Sequence, residues 1–485
     1  MMEENDYWFN SAPKTKIVCT IGPASESEEM LLKMVQSGMS VARLNMSHGD
    51  METHKRVITR VKGLSRSINV PVGIMVDVPG AKYRIGPLAP GAVNLDVGDT
   101  IILTSEDMVG NGDRVTVAPP GIHRDAELDG VVLVDDGNME FKIVHVDDKD
   151  VECRVVRGGR LTERRGVAIP GKAPSQEFPD EKAKECLAFA AEYDADFVAL
   201  STVTSSDDIK IARRILREHG MEHPFIISKV ERAEAIENIV EIVDESDALM
   251  VARGDMGVEV PLKKVPVIQK DLIRRSNSAG KPVITATQML ESMVNSSSPT
   301  RAEVTDVANA VYDGTDAVML SGETSIGDFP LESVQFMADV AREAEMTLPY
   351  ESSTQNDWRP LEAKTDDAIS FAACQVADQI DAGMIVAFTE SGISAGRVSR
   401  YRPRAKILAL TPNKEIQRML SLRWGVFSVI VDGVSDVEDF FLVGEQEATK
   451  ILGDGSYSQV VLVAGTPIGV PGSTNLLRVL ALGKI

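Results

Sequence analysis

Lys229 and Glu231 close the apolar run FIISKVE, which starts at Phe225. Two positions apart on an extended backbone, their side chains project to one side. A strand that only filled a core would end in glycine or a turn. Opposite charges side by side at its mouth point to a place where something charged is handled. Other apolar runs end alike: Arg43, Asn45, Ser47 and His48 close the run at Val41, and Asp77 the run at Val72. Arg253, Gly254 and Asp255 close the run at Ala248, Thr287 the next, and Ser321 and Glu323 the last. Glu231 and Asp255 are hard oxygen donors suited to a magnesium or manganese ion that keeps several waters. Either could instead be spent on a neighbouring lysine or arginine. Lys229 and Arg43 supply fixed positive charge. With a divalent ion they would neutralise a phosphoryl group in transfer, where positioning and electrostatics do most of the catalysis. The GDMG stretch reads as a turn whose N–H groups could hold a carboxylate beside the metal. Thr287 could donate a hydrogen bond to that carboxylate.

Such a rim needs a scaffold. From Lys16 onward, β-rich runs alternate with helical patterns: KIVCTIG, VARLNMS, VGIMVDV, FVALST, FIISKV, ALMVAR, PVITAT and AVMLSG. They are apolar on both faces, as strands of a helix-covered parallel sheet are. Eight such strands with crossovers suit an α/β fold of the (β/α)8 barrel kind, whose active site lies at the C-terminal strand ends. An open doubly wound sheet is the alternative. After Val78 the alternation breaks into short strands separated by Gly, Asp and Pro turns, such as VNLDVGDTIILTS and MEFKIVHVDD. That stretch reads as an inserted all-β domain. The expected organisation is therefore a barrel from residues 1–85 and 166–346, a β insert at 86–165, a polar linker at 347–365, and an α/β domain at 366–485.

The bulk composition limits the partners. The chain has 485 residues and a net charge of −22, from 51 Lys+Arg against 73 Asp+Glu. Such a surface repels nucleic acid and anionic lipid, so an anionic ligand must be captured by a local positive cluster. Cys19, Cys153, Cys186 and Cys374 form no metal or redox spacing and read as reduced core thiols. The acidic start MMEENDYWFNSAP is unlike a signal peptide, and no long apolar segment spans a membrane, so a cytoplasmic location is expected.

KIVCTIGPAS, GMSVARLNMSHG, DVPGAKYRIG, VLVDDGN, SKVE, MVARGDMGVE, PVITATQMLESM and SRYRPRAKILALT resemble the pyruvate kinase family, in its order and over nearly the whole chain. The resemblance implies transfer of phosphate from phosphoenolpyruvate to ADP, giving pyruvate and ATP, in a homotetramer. It makes Lys229 the transition-state stabiliser and Glu231 and Asp255 the magnesium (or manganese) ligands. Arg43, Gly254 and Thr287 would join Lys229 and Asp255 in holding phosphoenolpyruvate. Asn45, Met46, Ser47, His48, Arg84 and Arg165 would contact the nucleotide; the family usually has lysine at the last position. Asp135 and Asp136 belong to the insert, which in the family closes over the nucleotide.

One stretch departs from the family. Many relatives read DTKGPEIR where this chain reads DVPGAKYR. The monovalent-cation region would comprise Asn45, Ser47, Asp77 and Val78, with Lys82 in the acidic place. The family's lysine variant goes with independence from potassium, and a tethered ammonium could supply the missing charge beside Asn45, Ser47 and Asp77. In the last domain TESGISAGRVSRY follows a strand and opens a helix, a start that favours phosphate. Thr389, Ser391, Gly392 and Ser394 form a candidate effector loop, in which Glu390 would repel a bisphosphate. Two rivals to the kinase stand: an aldolase-like enolate enzyme, which would need no nucleotide lid, and a metabolite sensor, which would not need Lys229, Glu231 and Asp255.

Overall fold

The computed structural model describes residues 9, 11–89, 92–135, 137–172, 178–348, 364–453, 459–467 and 474–482. Nearly all of the expected linker at 347–365, and Asp136, lie outside the described residues.

The eight apolar runs are eight strands: Lys16–Thr20, Met39–Asn45, Gly73–Val78, Phe197–Leu200, Ile226–Val230, Ala248–Ala252, Val283–Ala286 and Ala317–Leu320. Each pairs in parallel with its neighbours, and the last closes on the first, from Lys16 opposite Ala317 to Cys19 opposite Leu320. Closure removes the open-sheet alternative. The runs are apolar on both faces because both faces are buried. Val18, Met75, Phe197, Ile227, Met250 and Met319 fill the inside, while a larger cluster joins the outside to the helices. Helix starts are set locally: Asp50 accepts from Thr53 N at 2.7 Å, Asp180 from Ala183 N at 2.7 Å, and Thr300 forms a capping box with Glu303.

The third and fourth barrel strands pair directly, Met75 opposite Phe197, although the insert separates them in sequence. The insert is a second closed barrel with its own core around Phe141, Ile101 and Val117. Its strands begin at Tyr83–Ile85 and end at Gly166–Ala168, which pair with each other. The closed sheet thus reaches a few residues beyond 86–165 at each end.

The third region is a five-stranded sheet flanked by helices. Met384–Phe388, Lys406–Thr411, Val426–Ile430 and Gln459–Gly465 run parallel, as their sequence indicates. A fifth strand, Thr474–Ala481, adds antiparallel at the edge. Phe9 packs into this domain's core, its ring 4.9 Å from that of Phe427. Phe9, within the expected barrel span 1–85, thus makes its aromatic contact with the C-terminal domain.

The C-terminal domain sits under the barrel's N-terminal mouth. Arg418 Nε donates to Asp196 Oδ1 at 2.6 Å, Arg402 pairs with Asp316 at 3.0 Å, and Leu422 enters the barrel's inner cluster. The opposite, C-terminal mouth is thereby left for chemistry. All four cysteines are buried free thiols. Among the described residues no helix is long and apolar enough to cross a membrane.

Candidate active site

Asp77, at the end of the third strand, is the hub of the C-terminal mouth. It is 1 % exposed. Its Oδ2 accepts from Arg43 Nε at 2.8 Å and its Oδ1 from Lys229 Nζ at 3.1 Å. Burial alone would push its carboxyl up, but the two cations outweigh that and hold it below the usual carboxylate range. Arg43 Nη1 also donates to Thr20 Oγ1 at 2.7 Å, so its guanidinium is fixed from two strands. Lys229 donates further to Ser201 Oγ at 2.7 Å. Burial would lower its ammonium; Asp77 and Glu231 instead raise it above the ordinary lysine value, so it stays charged.

Glu231 is 1 % exposed, and its Oε1 lies 3.0 Å from Lys229 Nζ. The pairing read from the two-residue spacing is therefore real. That approach is off the hydrogen-bonding direction, and Glu231 Oε1 has no hydrogen-bond partner. Its Oε2 accepts from Thr202 N at 3.1 Å. Asp255 lies in the first turn of a short helix, Arg253–Glu259, where a turn was expected. The backbone simply continues from the sixth strand into helix, which four small or flexible residues do not prevent. Burial would raise Asp255, yet Lys82 and Lys229 keep it below its ordinary value.

Lys82 joins the two carboxylates. Its ammonium contacts Asp255 Oδ1 directly and lies 3.8 Å from Glu231 Oε2. The expected partners Asn45, Ser47 and Asp77 are not those it meets: Asp77 already holds Arg43 and Lys229, and the two carboxylates Glu231 and Asp255 are the stronger attraction. Two carboxylates bridged by one ammonium, one of them with a buried oxygen that has no hydrogen-bond donor, are a donor set that fits a divalent ion completing its shell with water and substrate oxygens. No group of three or more His, Cys, Asp or Glu capable of holding a metal occurs among the described residues, so these two carboxylates would share the ion with such ligands.

Beside this centre lies a cavity of about 310 Å³. Arg43, Lys82, Arg84, Lys182 and Lys229 line it, with His48. This is the local positive cluster that an acidic chain needs to capture an anion. Burial, followed by the charges of Arg84 and Arg43, lowers the His48 pKa. Asn45, Met46 and Ser47 also border the cavity, but the Met46 side chain is in the core, leaving only its backbone available. Val78 is likewise fully buried. Gly254 N donates to Thr287 Oγ1 at 2.8 Å, and the Thr287 hydroxyl donates to Ala286 O at 2.6 Å.

Other rim residues turn away. Arg253 clamps Asp306 at 2.6 Å and Thr287 O at 2.7 Å, and Glu323 caps Ser321 N and Leu290 N. Arg165 pairs with Asp135 at 2.7 Å within the insert and does not line the cavity. Two polar lining residues escaped the sequence reading, Lys182 and Ser201. Lys182 follows the helix cap Asp180; Ser201 directly follows the fourth strand, whose polar terminus FVALST displayed.

In the C-terminal domain Gly392, at φ +82, caps the helix Ile393–Arg400. Thr389 is buried, Ser391 half-buried, and the Ser394 hydroxyl meets Thr474 Oγ1 at 2.7 Å.

The family model described as Pyruvate kinase, barrel domain matches residues 12–334, and Pyruvate kinase, alpha/beta domain matches residues 367–480. The chain belongs to the pyruvate kinase family. It is 38 % identical over 476 residues to "Pyruvate kinase" of Bacillus licheniformis, covering 97 % of this chain and 81 % of the relative. It is 40 % identical over 472 residues to "Pyruvate kinase" of Staphylococcus aureus strain USA300, covering 97 % and 80 %. As a member of the pyruvate kinase family it is a phosphotransferase, with the family's dependence on a divalent metal. The aldolase-like and sensor readings fall with this assignment.

Proposed function

We propose that this chain transfers the phosphoryl group of phosphoenolpyruvate to ADP, giving pyruvate and ATP, without needing potassium. One observation carries the reading: Lys229, Arg43, Glu231 and Asp255 converge at the open mouth of the barrel, beside a basic cavity. Arg43 and Lys229 hold the phosphoryl oxygens, and both are already aimed by Asp77. Gly254, Asp255 and Thr287 hold the carboxylate end. The nucleotide lies along Asn45, Met46, Ser47 and His48 with Arg84, and Arg165 approaches when the insert closes. Magnesium or manganese held by Glu231 and Asp255 would supply charge neutralisation to the phosphoryl group and the enolate. Closure of the insert excludes water, favouring ADP over hydrolysis.

Pyruvate release from phosphoenolpyruvate should require ADP and produce ATP in equal amount. Lys229→Met should lower kcat by about 10²–10³-fold, the cost of losing one preorganised charge-stabilising donor. ATP production by that variant at the parent rate would remove the reading.

Lys82 is the reason for potassium independence: its ammonium brings fixed positive charge to the place where the family's potassium-dependent members carry an acid. Turnover should be near maximal in buffer free of potassium and sodium, and Lys82→Glu should create a potassium requirement. Strong activation of the parent chain by potassium would refute this. The chain assembles as a cytoplasmic homotetramer on this reading, testable by light scattering. Thr389, Ser391, Gly392 and Ser394 form an effector loop in which Glu390 disfavours a bisphosphate. Titrating monophosphates and bisphosphates of sugars against substrate saturation measures that preference.

A further inference from the structure

Ser201 and Thr202 directly follow the fourth barrel strand, and each holds one member of the Lys229–Glu231 pair. Ser201 Oγ accepts from Lys229 Nζ at 2.7 Å and donates to Asp77 Oδ1 at 3.3 Å. Thr202 N donates to Glu231 Oε2 at 3.1 Å. Thr202 does so from φ +55, a left-handed conformation that is a genuine outlier for a β-branched residue. Strain of that kind persists only where the surroundings over-determine it, and it concentrates at functional sites. Here the surroundings are visible. A Cβ on Gly80 would lie 1.9 Å from Thr202 Oγ1, so the loop after the third strand packs directly on the strained residue.

We propose that Ser201 and Thr202 form a positioning corner that orients the Lys229 ammonium and the Glu231 carboxylate, 3.0 Å apart, by giving each a further partner. This rests on the phosphotransfer reading above. Left to each other, the two charges would set one another's direction through a charge-assisted contact. The ammonium would then point away from an incoming phosphoryl group, and the carboxylate would be spent. The corner opposes both. Ser201 and Asp77 take two of the three ammonium donors, and the Thr202 N–H draws Glu231 by its other oxygen. Glu231 Oε1 is left buried, without a donor, where a divalent ion would satisfy it. Ser201 acts through its side chain and Thr202 through its backbone, so the two respond differently to substitution.

The test uses the full-length chain with phosphoenolpyruvate, ADP and magnesium, and Mn²⁺ titration followed by electron paramagnetic resonance. Ser201→Ala should lower kcat about 10–100-fold, as loss of an orienting partner does. Its KM for phosphoenolpyruvate should stay within about threefold, since ground-state binding is retained. Ser201→Cys, close in size but a weak hydrogen-bond partner, should behave alike and serves if the alanine variant fails to fold. Thr202→Gly keeps the N–H and adopts the left-handed backbone freely, so Glu231 should keep its partner and Mn²⁺ affinity should stay that of the parent. If both Ser201 variants keep the parent kcat, or Thr202→Gly loses Mn²⁺ affinity about tenfold or more, a backbone-and-hydroxyl corner is wrong. A parent chain that makes no ATP would instead overturn the phosphotransfer reading, so the two failures are distinguishable.

Discussion

Lys82 owes its place to charges that lie far from it in sequence. The family's monovalent-cation region gave it Asn45, Ser47 and Asp77 as partners, yet Asp77 is taken by Arg43 and Lys229. The ammonium therefore goes to Asp255 and Glu231, whose repulsion it relieves. Partial burial would lower the lysine, and the two carboxylates outweigh it and raise it. A divalent ion entering between the same carboxylates must displace this contact. Lys82→Met should therefore bind Mn²⁺ more tightly in the absence of substrate, by roughly 3–10-fold, the worth of a partly exposed ion pair. Equal or weaker binding, read by electron paramagnetic resonance, would show that the ammonium does not compete. The contrast with Lys229 explains what was legible. A charge interrupting a buried run costs several kcal/mol unless partnered, so Lys229 and Glu231 announce themselves. Ser201 does not, because a hydroxyl at a strand end is ordinary with or without a task. Arg253 and Glu323 carried the same signal as Asp255 but spend their charge on Asp306 and on backbone N–H groups, a choice that only the fold makes.

The barrel strands were legible as elements for a single reason: burial on both faces demands uninterrupted apolar runs, and such runs are rare elsewhere. Thr474–Ala481 failed that test. It is an edge strand, antiparallel and largely exposed, so its sequence TNLLRVLA carries no clear period. The helix Arg253–Glu259 failed for the opposite reason, since its glycines favour a turn and its seven residues follow the strand without a cap. Phe197 shows how an element supports the site without touching it. The side chain is fully buried inside the barrel, its ring 5.2 Å from that of Phe225 in edge-to-face contact, and a Cβ on Gly73 would lie 2.6 Å from it. Phe197→Ala should cost about 3–5 kcal/mol through the cavity it leaves. The urea midpoint should fall accordingly, while kcat per folded molecule holds, because Phe197 lies at the strand end away from Lys229 and Asp255. A loss of kcat without a loss of stability would contradict this division between the two ends of the barrel.

At the scale of the whole molecule, the seam between the barrel and the C-terminal domain is built around three lysines, two from the stretch PKTK and one from the C-terminal domain. The N-terminal segment, the helix Pro330–Met346 and the strand Lys406–Thr411 bring Lys14, Lys16 and Lys406 together around Glu345. Glu345 accepts from Lys14 N at 2.9 Å and from Thr15 N at 2.6 Å, and Lys16 Nζ donates to Val426 O at 2.6 Å above the Phe427 ring. Arg404 adds positive charge beside Lys14, and Arg342 beside Lys406. Burial, reinforced by Lys406 and opposed by Glu345, lowers Lys16 from 10.5 to about 7. Burial likewise takes Lys14 and Lys406 to about 8. The sign follows from proton counting. Between about pH 7 and pH 10.5 the unfolded chain binds more protons at these lysines than the folded one, so stability rises with pH across that window. Lowering the pH from 10.5 loses that stability across the same window, and the slope ends near pH 7–8, where the folded lysines take up the proton as well. The urea midpoint of the parent should climb from pH 7 to pH 9, and Lys16→Met, which never binds that proton, should climb less steeply. Parallel slopes for the two chains would mean that Lys16 is charged in the folded state throughout, held by carbonyls and Glu345 against its burial.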